Sequence, residues 1–106
     1  MEIKNKNDSC TLTFNADEFR IFKDICKQTI LSSLMLEESI KNTPDELKND
    51  ENFSRAISRL KEAIVFSKAF EEKHNAVFDN KLISSDELAE REKCFKELQK
   101  YAKTDE

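Results

Sequence analysis

The chain contains no glycine, no tryptophan, one proline and one histidine in 106 residues. Tight hairpins, phosphate-cradling loops and most bulges use glycine, because only glycine takes a positive φ at no steric cost. Its absence argues against a β-rich fold, a Rossmann domain or a P-loop, and favours helices. Long apolar runs are missing too. The longest cluster, residues 30–36, is interrupted by Ser32 and Ser33 and is too short to span a bilayer.

Cysteines are few and odd in number. Cys10, Cys26 and Cys94 fall in no CxxC or zinc spacing, so reduced thiols are expected. Residues 1–9 are polar apart from Ile3 and do not read as a signal peptide, which makes the cytoplasm the expected compartment. No basic face is evident, so direct nucleic-acid binding is not expected, nor a helix-turn-helix regulator.

What is present is charge and phenylalanine. Charged and hydrophobic residues each make up 38% of the chain, and eight phenylalanines supply bulk for a core. The apolar residues are patterned, so residues 1–106 read as one folded domain with a small core. Net charge is −4. The surplus is local: Asp45, Glu46, Asp50 and Glu51 face only Lys48 within residues 43–52.

Residues 2–14 alternate, with Cys10, Leu12 and Phe14 separated by Thr11 and Thr13, as in a half-buried strand. Residues 2–6 can pair with it across Asn7 and Asp8 to make a hairpin lying on the helices. Asn15 with Glu18 forms a capping box that opens a helix over residues 16–41. Phe19, Phe22, Cys26, Ile30 and Ile40 share its main face, flanked by Ile25 and Leu36, while Leu31 and Met35 point elsewhere.

Thr43, Pro44 and Glu46 signal a short acidic helix over 44–49, with threonine as the cap. The longest unbroken periodicity follows, over 52–79. Phe53, Ala56, Ile57, Leu60, Ala63, Ile64 and Phe70 form one stripe, with Val65, Ala69 and Ala76 on the far side. Ser84 with Glu87 opens a last helix over 85–103, striped by Leu88, Phe95, Leu98, Tyr101 and Ala102. The expected fold is mainly α: an antiparallel bundle of three long helices, one short acidic helix and an N-terminal strand or hairpin.

The chemistry-bearing residues are sparse. Ser67, Glu71 and His74 share the inward face of the long helix, and Glu71-x-x-His74 has the spacing of a di-iron half-site. A full site needs a second pair and further carboxylates, and there is one histidine. The expectation is therefore that the polar group marks the end of the core, with His74 partly solvated at its rim. Cys10, Cys26 and Cys94 lie on or beside apolar stripes, where a thiol acts as an inert hydrophobe. With no oxyanion loop and no patterned acid–base pair, neither an enzyme nor a cofactor is expected.

Two surfaces remain. Asp45, Glu46, Asp50 and Glu51 are either caps on a solvated turn or a patch steering a larger, basic protein partner. They lack the glycine and alternating oxygens of a calcium loop. The apolar flanks Leu31, Met35, Val65 and Ala69 are either ordinary core or a homodimer contact. The functional expectation is a small acidic non-catalytic protein-binding module, of the inhibitor or immunity type known from phage and mobile elements, that occludes a larger partner. The alternative is an oligomeric structural or accessory subunit that self-associates through its helical apolar faces.

Overall fold

The computed structural model describes residues 1–104, with side-chain environments through Tyr101. These residues form two strands, β1 (Glu2–Lys6) and β2 (Ser9–Thr13), and four helices: α1 (Ala16–Lys41), α2 (Asp45–Lys48), α3 (Glu51–Val77) and α4 (Ser85–Thr104). The mainly helical architecture with an N-terminal hairpin is the one expected.

The hairpin closes over two residues, because Lys6 pairs with Ser9. Asn7 supplies the required left-handed backbone at φ 45°, which asparagine tolerates better than most residues. Register sets Ile3 opposite Leu12 and Asn5 opposite Cys10 on one face. Leu12 and Cys10 were expected to be half-buried. Instead every residue of both strands is exposed, Leu12 at 49%. A two-stranded ribbon has no further strand to cover it, and only its ends are fastened to the helices. Phe14 stacks on Phe22 at 5.3 Å, and the N-terminal amine pairs with Glu18 at 2.9 Å.

The Asn15–Glu18 capping box is present in both directions, Glu18 N–H to Asn15 Oδ1 at 2.9 Å and Asn15 N–H to Glu18 Oε1 at 3.1 Å. The amine and this cap hold the Glu18 carboxyl below its ordinary range. The second start signal is built differently. Thr43 was expected to cap α2, but its hydroxyl donates back to Ser39 O at 2.6 Å, and the cap position falls to Pro44. A hydroxyl just past a helix end can bond to the last unpaired carbonyls, and here that option wins over the next helix.

α1 and α3 pack antiparallel along their length. Phe19 and Phe22 at the start of α1 meet Phe70 near the end of α3, at 6.4 and 4.9 Å between ring centroids. Ile40 at the other end of α1 shares a surface hollow with Phe53 and Ile57. α4 joins mainly along α1, through Lys27–Glu87 at 2.9 Å and Arg91–Gln28 at 2.7 Å. Farther along, its stripe is open: Leu98 is 52% and Tyr101 73% exposed.

The result is a thin body. Among the described residues the buried apolar side chains are Cys26, Leu31 and Leu82. The radius of gyration is 17.3 Å, against about 13 Å for a compact chain of about 100 residues. Accessible area is 8806 Å², whereas a compact monomer of this mass exposes about 6,100 Å².

Candidate functional site

Among the concavities beside the α1–α3 pair, one is polar and one apolar in a way that suits a ligand or partner. The polar one lies where the start of α1 meets the end of α3. α3 ends at Val77, the chain turns over its own last residues, and the buried Leu82 seals the turn. Asn75 makes this closure. Its Oδ1 accepts the Leu82 N–H at 2.9 Å and lies 3.1 Å from His74 Nδ1. An atom that accepts an amide proton is the oxygen, so His74 Nδ1 carries a proton and donates to it.

His74 was expected at a partly solvated rim. It is 5% exposed, stacked on Phe78 at 4.6 Å and beside Phe70 at 6.0 Å. The 78–83 connection folds over it, and that fold-back rather than the helical period decides its burial. Ser67, about two turns earlier on the same face, is also buried, and its hydroxyl bonds to Cys26. Burial pushes the Cys26 thiol up, with the Ser67 bond opposing. Glu71 is half-buried on the same face.

A cavity of about 310 Å³ opens above His74, lined by four cations, Arg20, Lys23, Lys27 and Lys81, and two carboxylates, Asp24 and Glu87. Lys23 lies over the Phe19 ring at 5.1 Å. Glu87 is held below its ordinary range chiefly by Lys27, against the opposing effect of burial, with smaller help from the Ser84 cap. Sequence reasoning missed this group. The available signal was the spacing of Arg20, Lys23 and Lys27 on one face of α1, and nothing local placed Lys81 beside them.

The apolar concavity lies between α1 and α3. It holds about 460 Å³ and is lined by Met35 and Leu36, by Leu60 and Ile64 across from them, and by a neutral polar rim including Thr29 and Ser39. Of the four residues expected to mediate self-association, Met35 lies in this groove. Val65 is 68% exposed and Ala69 is exposed. Leu31 does not belong with them. It is 3% exposed and borders a crevice with Cys94 and Arg91 of α4, so α4 takes the place assigned to another chain.

The acidic residues split as well. Asp50 caps α3 through Phe53 N–H at 3.0 Å, and Glu51 pairs with Arg55 at 2.6 Å. Asp45 and Glu46 sit in the first turn of α2, exposed. Cys10 and Cys94, expected beside the core, are exposed.

The described residues contain no group of three or more His, Cys, Asp or Glu able to hold a metal ion, and no helix among them is long and apolar enough to cross a membrane. His74 bonds to Asn75 rather than to a hydroxyl or thiol, so no nucleophile–base pair is assembled around it. No protein-family model, curated protein or solved structure matches this chain.

Proposed function

We propose that this protein is a small non-catalytic binding module that acts by covering a larger protein partner, with the groove between α1 and α3 as the docking surface. One observation carries this reading: the chain exposes 8806 Å², roughly 2,700 Å² more than a compact monomer of its mass, an amount on the scale of a large protein–protein interface. Met35, Leu36, Leu60 and Ile64 provide the apolar centre and a neutral rim surrounds it, the arrangement of a specific contact. The partner segment is apolar with a basic flank, because Asp45 and Glu46 follow closely on the Ser39 end of the groove. An inhibitor or immunity role in the cytoplasm fits this chemistry.

A second reading, a self-associating subunit, is favoured by Val65, 68% exposed on the side of α3 away from its stripe. Light scattering across a wide concentration range separates the two. A monomer that loses capture of a defined partner on Met35→Glu, with salt-sensitive association, supports the first. A dimer dissolved by Val65→Glu supports the second, and measurable turnover of any substrate overturns both.

A further inference from the structure

We infer that the cavity above His74 binds the phosphate group of a small phosphomonoester. Charge is the first reason. The chain has a net charge of −4, yet four cations and two carboxylates line this cavity. One ion pair is already made: Glu87 pairs with Lys27 and also accepts from the Ser84 hydroxyl at 3.1 Å, which leaves Arg20, Lys23 and Lys81 against Asp24. Arg20 and Lys81 make no ion pair with another side chain among the described residues, so their charge is directed at what enters. Arginine and lysine from separate segments, a helix face and a connection, form a cradle for a multiply charged anion.

The floor of the cavity selects among anions. His74 is 5% exposed, and its Nδ1 proton is committed to Asn75, which leaves Nε2 as its only polar atom without a partner. No buried side-chain nitrogen or oxygen among the described residues lacks a partner, so this nitrogen stands open to the cavity that His74 lines. In the neutral ring Nε2 is an acceptor, so the matching ligand carries both negative oxygens and an acidic proton. A phosphate monoester does: one P–OH donates a hydrogen bond to Nε2 while the remaining oxygens face Arg20, Lys23 and Lys81. Sulfate and carboxylate bring no such proton near neutral pH. The volume, about 310 Å³, lies at the lower end of the small-ligand range of about 300–1,000 Å³, room for a phosphate and a short organic group.

The test titrates the full chain with inorganic phosphate, glycerol phosphate and sulfate at matched ionic strength, followed by calorimetry and by the ¹⁵N resonances of the His74 ring. Saturable binding of phosphate is expected, with glycerol phosphate at least as tight, a shift at His74 Nε2, and sulfate at least about tenfold weaker. Tighter binding of glycerol phosphate than of phosphate identifies the organic ester as the occupant; equal affinity identifies free phosphate. The exposed double variant Arg20→Gln/Lys81→Gln should weaken binding by about tenfold or more. The inference is overturned by an unshifted His74 ring, by sulfate binding as tightly as phosphate, or by unchanged affinity in the double variant.

Discussion

His74 Nδ1 and Asn75 Oδ1 lie 3.1 Å apart, and the same oxygen receives the Leu82 N–H at 2.9 Å. One side chain thus fixes the tautomer of the only histidine and anchors the segment that buries it. Asn75→Ala removes the one acceptor of both bonds and leaves a part-buried amide unpaired. It should lower stability by about 2 kcal/mol, read by urea denaturation, and the Leu82 amide should lose hydrogen-exchange protection.

Leu31 and Val65 test where the core ends. Leu31 is 3% and Val65 68% exposed. Leu31→Ala should cost about 2–4 kcal/mol, while Val65→Ala should stay within about 0.5 kcal/mol of the parent. Chemical denaturation of the two variants checks this, and equal losses would place Leu31 outside the core.

The Lys27–Glu87 pair makes stability depend on pH. The folded Glu87 carboxyl lies below its ordinary value of 4.5, chiefly through Lys27. A depressed carboxyl stabilises the fold fully above the unfolded value, and that contribution is lost as pH falls through the folded one. Glu87→Gln keeps the cap geometry and removes the charge. It should cost about 0.5 kcal/mol near neutrality, since the carboxylate is partly exposed, and nothing in acid below the folded value. Paired denaturation curves at the two pH values provide the measurement.

The three thiols should separate by reactivity. Cys10 and Cys94 are exposed and Cys26 is buried, its thiol pushed up by burial. Maleimide should label Cys10 and Cys94 rapidly and Cys26 only after unfolding, as mass spectrometry of the labelled peptides will show.

Helix starts offer a paired test. Asp50→Ala removes a side-chain cap on α3 and should cost about 1 kcal/mol. Thr43→Ala removes no cap on α2, because its hydroxyl bonds to Ser39. Thermal melts should show a clear drop for the first and a much smaller one for the second.

These features differ in how far they could be read in advance. The caps at Asn15 and Ser84 were legible because donor and acceptor lie three residues apart, and both form. Thr43 misled because its hydroxyl had two local acceptors, one behind and one ahead, and composition does not rank them. Asp50 stood in a run of acids open to two readings, caps or a surface patch, and its bond to Phe53 N–H makes it a cap. At the candidate site, the shared face of Ser67, Glu71 and His74 was visible in the period of three and four. The burial of His74 was not, since it depends on Leu82 folding back across seven residues to Asn75. The cations of the cavity come from α1 and from Lys81, some sixty residues later in the sequence, and read singly as part of a mixed surface.

The sequence by itself determined the helices, the hairpin with its turn at Asn7 and Asp8, and the stripes that pair α1 with α3. Each follows from neighbours within a few residues, where backbone geometry and periodicity act alone. Only the tertiary structure decided that α4 covers Leu31, that Met35 and Val65 stay open, and that a basic cavity forms over a buried histidine in an acidic chain. Those outcomes depend on which distant segments share a surface, and side-chain burial and charge are set by that sharing rather than by local pattern.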